Sequence, residues 1–346
     1  GMTGHPVRGG PGRVLEAARA NPIPIDELSR FVFLSDCHRG SGGWADDFSH
    51  NVIIYLHAVQ YYLERGFTLV EAGDGEELWE NGFDEIHWAY SNVYTRLGSF
   101  HAAGRFIKLW GNHDDAWSST GTFRRKFVPA LWRKFDGRPH PLLEGMAPSE
   151  LERIVKGGEA PPIPILSGLE PREGVVLRHG PPLVDILVIH GHQGDFWSDT
   201  ASWLSRFMDH SVWKWLQKAG LRARNAPAGN YALKDGVEDR LKKWTRLSGV
   251  ALIAGHTHQP SFPRPGDTPY FNCGSCIHPS CITCIELCDD TLSLVKWGFT
   301  TLGAEGAGSD GDQLRMKRSV LQGPEPVTEC LAAGIKTRGS ERRSTL

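Results

Sequence analysis

Arg30-Phe-Val-Phe-Leu-Ser-Asp36 is a short apolar run that ends in polar residues. Such a run is typical of a buried strand, and the carboxyl end of this strand then presents Asp36. The same pattern, an apolar run that ends in Gly, Asp, Asn or His, occurs four more times, at Phe67–Asp74, Phe106–Asn112, Asp185–His190 and Val250–His256. We therefore expect five buried strands whose carboxyl ends carry polar side chains.

Helical segments separate these strands. Phe48–Arg65 has apolar residues at three- and four-residue spacing and stops at Gly66, and Asp84–Phe100 has a similar pattern. Strands that alternate with helices predict an α/β fold, and such folds collect their ligands at the carboxyl ends of the strands.

Two regions depart from this alternation. Phe196–Leu247 is helical in character and rich in Trp, which predicts a helical insertion that either packs on the core or forms an apolar lid. After it, strand-like runs predict a second, more antiparallel sheet, at Tyr270–Cys273, Ile282–Leu287, Leu292–Phe299 and Leu314–Leu321. We expect one domain over residues 26–325, with flexible segments at 1–25 and 326–346.

The charge balance argues against a general affinity for anionic polymers. The 346-residue chain has 38 Lys and Arg against 40 Asp and Glu, a net charge of −2. No overall positive field therefore attracts nucleic acid or anionic lipid, and an anionic substrate must be held by a local site. No apolar run is long enough for a membrane span and the N-terminus has no secretion-signal pattern, which predicts a cytoplasmic protein.

Polar clusters coincide with the five predicted strand ends. Their Asp, Asn and His side chains are ligands suited to Mn²⁺, Fe or Zn²⁺. One such cluster alone is usually structural, but five together indicate a metal site. The clusters are Asp36-Cys-His38, Gly73-Asp74, Gly111-Asn-His-Asp114, His190-Gly-His192 and Gly255-His-Thr-His258.

In this order the clusters resemble the motifs of the calcineurin-like metallophosphoesterase superfamily, and the resemblance extends from Asp36 to about Leu321. It implies a four-layer α/β/β/α sandwich with a helical insertion and a dinuclear metal centre. It also implies a phosphoester hydrolase in which a metal-activated hydroxide attacks phosphorus. Carried over by motif, one metal ion would bind Asp36, His38 and His258, the other would bind Asn112, His190 and His256, and Asp74 would bridge them.

Simple electrostatics supports such a site. Two divalent ions bring +4 and the carboxylates of Asp36 and Asp74 return −2, which leaves about +2 to attract a phosphate dianion. Metal ions ~3.5–4 Å apart can clamp phosphate oxygens and lower the pKa of a bridging water. The attraction for phosphate is then concentrated at a site that the net charge of the chain does not reveal.

His113 is the candidate general acid, because it follows the predicted ligand Asn112 directly and is not expected to bind metal. A carboxylate should orient its ring, and either Glu77 or Asp114 could do so. The resemblance favours Glu77, which stands where related enzymes have the second acidic residue of G-D-x-x-D. A solvated loop carboxylate is the alternative for Glu77.

Three residues beside predicted ligands are candidates for supporting roles. Arg39 follows His38 and could contact a substrate phosphate, or it could be an ordinary surface Arg. His192 and Asp195 lie near His190 in the sequence and could orient that ligand without binding metal themselves.

The substrate stays open at this stage. The Gly255-His-Thr-His-Gln-Pro260 stretch and the insertion resemble the UDP-diacylglucosamine pyrophosphatase branch of the superfamily, although that branch usually has Arg at the position of His113. A nucleotide or nucleic-acid phosphodiesterase is another alternative, with Arg124-Arg-Lys126 and Arg133-Lys134 as a short basic track. A catalytically inactive scaffold on the same fold is the non-enzyme alternative. The expected partner is a phosphorylated small molecule or lipid-linked substrate, without stable nucleic-acid binding.

A cysteine cluster at Cys273–Cys288 superficially resembles a structural zinc site. Asn272-Cys-Gly-Ser275 instead resembles a turn at the rim of the superfamily's site, and Ile282–Cys288 alternates like a strand. We therefore expect buried, reduced thiols.

Overall fold

The predicted strands form, the stretch Phe48–Arg65 contains one helix, and the stretch Asp84–Phe100 lies in two helices that are separated at Tyr90. The computed structural model describes residues 10–118, 169–194, 227–301 and 314–332, with the backbone alone at 84, 227–235 and 301. The helices are α1 (Pro11–Ala18), α2 (Val52–Glu64), α3 (Phe83–Ala89), α4 (Ser91–Ala102) and α5 (Pro227–Ser248). The strands are β1 (Ile23–Ile25), β2 (Phe31–Leu34), β3 (Thr68–Ala72), β4 (Phe106–Leu109), β5 (Gly174–His179), β6 (Val184–Ile189), β7 (Ala251–Ala254), β8 (Tyr270–Asn272), β9 (Cys281–Cys288), β10 (Thr291–Thr301) and β11 (Leu314–Pro326).

These strands form two mixed sheets. The six-stranded sheet has the order β11-β10-β9-β2-β3-β4, in which β2, β3 and β4 are parallel and β9, β10 and β11 are antiparallel to their neighbours. The five-stranded sheet has the order β1-β5-β6-β7-β8, in which β6, β7 and β8 are parallel. The chain is thus a mixed α/β protein, as the alternation of strands and helices predicts.

Both faces of each sheet pack against other elements. Phe33 and Val70 of the six-stranded sheet share one apolar cluster with Val188 and Ile253 of the five-stranded sheet. The other face of the six-stranded sheet, through residues such as Leu69, packs on α2 and α4. The other face of the five-stranded sheet packs on α1 and α5. Burial on two faces explains why the motif-bearing strands are continuous apolar runs rather than alternating ones.

The carboxyl ends of the motif-bearing strands meet at one place. β2, β3 and β4 lie side by side in one sheet, whereas β6 and β7 lie side by side in the other. Within the first sheet the amide of Asp36 donates to the carbonyl of Gly73 over 3.2 Å, and within the second the amide of Gly255 donates to the carbonyl of His190 over 2.8 Å. The amide of His256 donates to Asp36 Oδ2 over 2.8 Å, which joins the two sheets. The predicted polar clusters therefore face one another.

The C-terminal strands do not form the separate sheet that the sequence predicts. β9 pairs with β2 through Phe31 and Leu287, so β9, β10 and β11 extend the sheet that already holds β2, β3 and β4. β8 instead pairs with β7. β1 and β5, which the sequence patterns did not indicate, complete the five-stranded sheet. The apolar runs show that these strands are buried, but a run of this kind carries no information about its neighbour in the sheet.

The terminal segments are more structured than predicted. Residues 1–25 were expected to be flexible, but α1 begins at Pro11, whose fixed φ suits a first helical turn, and it buries Val14 and Leu15 against the five-stranded sheet. Residues 327–332 are helical, and Val327 and Leu331 are buried in the core between the sheets. The predicted tail at 326–346 therefore also begins with packed residues.

The helix α5 covers the end of the predicted insertion. Its Val237, Leu241 and Trp244 are buried against the five-stranded sheet, which supports core packing for this Trp. Residues 195–226 of the insertion and the basic residues at 124–134 lie outside the described residues. In the parts of the chain that the structure describes, no helix combines the length and the apolar character that a membrane crossing requires.

Truncation of Leu15 tests the contribution of α1. Leu15 is 1% exposed, so Leu15→Ala removes a buried side chain and should lower the free energy of unfolding by about 2–4 kcal/mol, measured by denaturant titration. Glu16→Ala on the exposed side of the same helix should change it by less than about 0.5 kcal/mol. Equal small effects would show that α1 does not pack as described.

Candidate metal centre

The loops that follow the motif-bearing strands have an unusual backbone. Asp36, His38, Asp74, His256 and His258 all have positive φ, between 45° and 69°. This region is unfavourable for residues other than Gly, and each such residue costs on the order of 1–3 kcal/mol. Five of the seven predicted metal ligands are held in this conformation. Backbone strain of this kind concentrates at functional sites, where the surrounding structure fixes it.

Asp36, His38 and His258 form the first group of ligand atoms. Asp36 Oδ1 lies 3.1 Å from His258 Nε2 and 3.6 Å from His38 Nε2, and the two Nε2 atoms lie 3.3 Å apart. The other carboxylate oxygen, Oδ2, accepts hydrogen bonds from the Ser35 hydroxyl (2.6 Å) and the His256 amide (2.8 Å). These bonds fix the carboxylate so that Oδ1 faces the two imidazoles.

Asp74, His190 and His256 form the second group. His190 Nε2 lies 3.1 Å from Asp74 Oδ2, while His190 Nδ1 donates to the carbonyl of Ala72 over 3.1 Å. The imidazole of His256 lies with its centroid 5.0 Å from that of His190. Asn112, the remaining predicted ligand, has a buried side-chain oxygen, Oδ1.

Asp74 lies between the two groups. Its Oδ2 is 3.1 Å from His190 Nε2 and 3.7 Å from His38 Nε2. Its Oδ1 accepts a hydrogen bond from the His113 amide over 2.8 Å. One carboxylate oxygen is thus used for a backbone contact, and the other faces an imidazole of each group. The structure therefore places Oδ2 of Asp74 between an imidazole of the first group and an imidazole of the second.

Glu77 links a predicted ligand to the predicted acid. It accepts hydrogen bonds from His38 Nδ1 over 3.0 Å and from His113 Nδ1 over 2.9 Å. Of the two carboxylates considered for His113, Glu77 is therefore the one in contact. Trp79 stacks on the His113 ring, with centroids 3.9 Å apart and an interplanar angle of 24°. Glu77 therefore fixes one edge of the His113 ring, and Trp79 covers one of its faces.

Charge interactions within the cluster shift its pKa values. Burial would raise the pKa of Asp36 and Asp74, but the neighbouring imidazoles hold both pKa values well below the ordinary range. Burial would lower the pKa of His190, but Asp74 and Asp36 raise it to about 9. Burial would also raise the pKa of Glu77, but its hydrogen bonds with His113 and His38 lower that pKa to about 2. The cluster therefore keeps its carboxylates ionised, the form that binds cations.

Two glycines allow the loops to approach each other. A Cβ on Gly111 would lie 2.2 Å from Asp74 Oδ1. A Cβ on Gly255 would lie 1.9 Å from the Ser35 hydroxyl oxygen and 2.5 Å from Asp36 Oδ2. The Gly residues of these motifs are thus required by the space around the two carboxylates.

A cleft of about 760 Å³ leads to the cluster. His38, His113, His256 and His258 line it, together with residues of the loop at 40–47. Trp44, in that loop, is 78% exposed at the rim. With Asp74, which also lines the cleft, the predicted acid and four of the predicted ligands are accessible from one opening.

The chemistry of the residues fits divalent cations. Two atoms that bind one ion at ~2.0–2.1 Å lie roughly 3–3.5 Å apart, which is close to the separations found within the first group. Asp36 Oδ1, Asn112 Oδ1 and His190 Nε2 are buried and have no hydrogen bond of good geometry. Buried polar atoms are normally satisfied, so atoms of this kind indicate a missing partner. A bound cation would satisfy all three.

The position of Arg39 does not agree with the predicted contact to a substrate phosphate. Its side chain is 0% exposed, and its guanidinium donates to Glu71 over 2.6 Å and to Glu76 over 2.7 Å. The side chain turns into the protein because two buried carboxylates neutralise it there, and it is not among the residues that line the cleft. Arg39 is therefore a structural residue behind the cluster.

The supporting role of His192 stays a prediction. His190 Nδ1 donates to the carbonyl of Ala72, and the ring centroid of His192 lies 5.5 Å from that of His190. Burial, followed by the charges of His190 and His256, lowers the pKa of His192 well below its ordinary value. Asp195 lies outside the described residues.

The cysteine cluster consists of free thiols. Cys273, Cys276 and Cys284 are buried, and burial raises the pKa of each of them. The groups with metal-binding geometry in the described chain contain His, Asp and Glu but no Cys. The expectation of buried, reduced thiols agrees with this arrangement.

Several contributing residues were not found from the sequence. Ser35 and Trp79 lie beside motif residues, but single Ser and Trp residues carry no specific signal. Glu71 and Lys108 do give a signal in the sequence, because each is a charged residue within an apolar strand. The two strands are Thr68-Leu-Val-Glu-Ala72 and Phe106-Ile-Lys-Leu109. Such a residue must be paired when it is buried.

Comparison with known proteins does not identify a relative. Neither the models of protein families nor the curated proteins include one that matches this chain. The arrangement of side chains is therefore the basis for the function proposed below.

Binding of Mn²⁺ tests the metal centre. At a Mn²⁺ concentration ~100 times the Kd, binding should stabilise the protein by about 2.7 kcal/mol and raise Tm by about 5 °C. Asp74→Asn should abolish most of this rise, because it weakens the only carboxylate that faces both described groups. Asp47→Asn, an exposed carboxylate of the same cleft, should keep it. Equal loss in both variants would indicate nonspecific attraction of cations.

Proposed function

We propose that this chain is a metal-dependent phosphoester hydrolase with a dinuclear centre. The observation that carries the proposal is the position of Asp74 Oδ2 between His190 Nε2 at 3.1 Å and His38 Nε2 at 3.7 Å. The other six predicted ligands lie on the loops that follow β2, β4, β6 and β7. A shared carboxylate between two sets of nitrogen and oxygen ligands is the arrangement expected of paired divalent ions.

The proposed ligand sets are those that the motifs suggest, and the two groups of neighbouring ligand atoms support them. Asp36, His38 and His258 would hold one ion, and Asn112, His190 and His256 would hold the other, with Asp74 shared. Two divalent ions would supply positive charge for a phosphate group and would lower the pKa of a water molecule. Mn²⁺, Fe and Zn²⁺ all suit this mixture of carboxylate, amide and imidazole ligands.

His113 is the proposed general acid for the leaving oxygen. It lines the cleft, and the amide of the same residue donates to Asp74 Oδ1, so the imidazole stays close to the proposed metal ions. Glu77 accepts from Nδ1, which leaves Nε2 as the ring atom that can give a proton to substrate. Trp79 prevents the ring from turning away from this orientation.

The arrangement of layers supports the calcineurin-like metallophosphoesterase superfamily. The packing of α2 and α4 on one sheet, and of α1 and α5 on the other, supports the proposal of a four-layer α/β/β/α sandwich. The five clusters follow the order of the superfamily's motifs, and they lie at the strand ends where that architecture has its metal centre. We therefore propose membership in this superfamily, with a phosphorylated small molecule or lipid-linked substrate.

Substrates with different leaving groups test the role of His113. An alkyl phosphate needs a proton on its leaving oxygen, whereas p-nitrophenolate leaves without one. His113→Ala should therefore lower kcat for alkyl esters by about 10²–10⁴, with a much smaller loss for p-nitrophenyl esters. Steady-state kinetics with Mn²⁺ measures both.

Two controls make this experiment decisive. His57→Ala, an exposed His on α2, should leave both rates unchanged, and His113→Ala should keep the Mn²⁺-dependent rise in Tm. Equal losses on the two kinds of ester would contradict proton donation by His113. Failure of the wild-type protein to hydrolyse any ester of a broad panel in the presence of Mn²⁺, Fe²⁺ or Zn²⁺ would contradict the proposed function.

A further inference from the structure

Five charged side chains are buried together behind the proposed metal centre. Arg39 and Asp114 are 0% exposed, Glu71 and Glu76 are 1% exposed, and Lys108 is 2% exposed. Removing so many charges from water is costly, and a buried ion pair often gives no more stability than apolar residues of the same volume. Stability alone therefore does not explain this cluster, which we call the ionic core.

Lys108 lies at the centre of the ionic core. Its ammonium group donates to Glu71 over 2.6 Å, to Glu76 over 2.8 Å and to Asp114 over 3.2 Å. Arg39 donates to the other oxygens of Glu71 and Glu76. A Cβ on Gly75 would lie 2.5 Å from Glu71 and 2.6 Å from Arg39, so the backbone packs closely against these charges.

Asp114 connects the ionic core to two ligand-bearing loops. Its Oδ1 accepts from the amides of Gly111 (2.6 Å) and Asp74 (3.2 Å), and its Oδ2 accepts from the amide of Gly75 (2.9 Å) as well as from Lys108. Gly111 precedes the proposed ligand Asn112. One carboxylate therefore holds the backbone at Asp74 and next to Asn112 at the same time.

A third loop is held by Arg39, which follows the proposed ligand His38. Its amide donates to the carbonyl of Gly75 over 3.0 Å, and its carbonyl accepts from the amide of Glu77 over 3.0 Å. Through its guanidinium, the same residue is fixed by the carboxylates that also hold Lys108. The loops after β2, β3 and β4 thus share one set of buried contacts.

We propose that Lys108 is a positioning residue of the metal centre, which fixes Asp114 and through it the backbone of Asp74 and Gly111. The proposal rests on the metal centre of the proposed function. Lys108 touches neither metal nor substrate. It holds the positive-φ conformation of Asp74 so that Oδ2 faces both groups of ligands. Replacement of Lys108 should therefore lower the affinity for metal ions strongly and have a smaller effect on the stability of the fold.

The variants must distinguish the positioning role of Lys108 from its contribution to the charge balance of the ionic core. Lys108→Met removes one positive charge and leaves Glu71 undercompensated, so this variant alone could unfold. Lys108→Met with Glu71→Gln removes one charge of each sign and keeps the net charge of the ionic core. Arg318→Met with Glu286→Gln is the matched control, because it removes a bidentate ion pair from the same sheet, between β9 and β11, away from the metal centre.

Calorimetric titration with Mn²⁺ gives the main readout. The Lys108→Met/Glu71→Gln variant should bind Mn²⁺ about 10–100 times more weakly than the wild type, which is the usual effect of losing a residue that orients ligands. The control pair should leave the Mn²⁺ affinity unchanged, even where its Tm without metal falls by as much. The electron paramagnetic resonance spectrum should change from that of a spin-coupled Mn²⁺ pair to that of isolated ions in the Lys108 variant alone.

The outcomes are distinguishable. Wild-type Mn²⁺ affinity in the Lys108→Met/Glu71→Gln variant contradicts the inference, and so does an equal loss of affinity in the control pair. If the double variant does not fold, Asp114→Asn replaces it, since an amide cannot accept at both of its ends and should weaken Mn²⁺ binding in the same way. Because affinity is measured without substrate, absence of phosphoester turnover contradicts the proposed function but not this positioning role.

Discussion

Hydrogen bonds from backbone amides to buried carboxylates hold the candidate site together. Asp36 accepts from the amide of His256 and thereby joins the two sheets, and Asp74 accepts from the amide of His113 within one sheet. In each case one carboxylate oxygen is used for the backbone and the other faces the imidazoles. Charged acceptors form stronger hydrogen bonds than neutral ones, so each contact fixes both the loop and the direction of the free oxygen.

These hydrogen bonds explain why several energetically unfavourable features occur together at the site. Residues with positive φ, carboxylates removed from water and buried lone pairs without partners are all unfavourable, and here they occur in the same loops. The sheets on either side provide the compensation, since their apolar strands end two to four residues before the strained positions. The strained positions lie close to the ends of buried strands, and the charged side chains behind them are buried as well.

The sequence predicts part of this arrangement. Apolar runs that end in polar residues located all five motif-bearing strands, and the motifs identified the side chains that converge, such as Asp36 and His258. The runs could not assign β9 to the sheet of β2, because strand pairing depends on the backbone partner and not on the strand's own apolar residues. They also could not show that Arg39 turns inward, since this requires Glu71 and Glu76 to be near it. The residues alone left both Glu77 and Asp114 open for the His113 contact, and only the resemblance favoured Glu77.

Glu77 shows how one carboxylate can support two different roles. An ionised carboxylate only accepts hydrogen bonds, so both His38 and His113 must present Nδ1–H to it. For each imidazole, the other nitrogen then determines what the residue can do. His38 Nε2 lies 3.3 Å from His258 Nε2 and 3.6 Å from Asp36 Oδ1, where its lone pair can bind a cation. His113 instead lines the cleft beneath Trp79, where its Nε2 can carry a proton to a leaving group. The difference between the proposed ligand and the proposed acid therefore arises from the loop on which each His lies, and not from the carboxylate that they share.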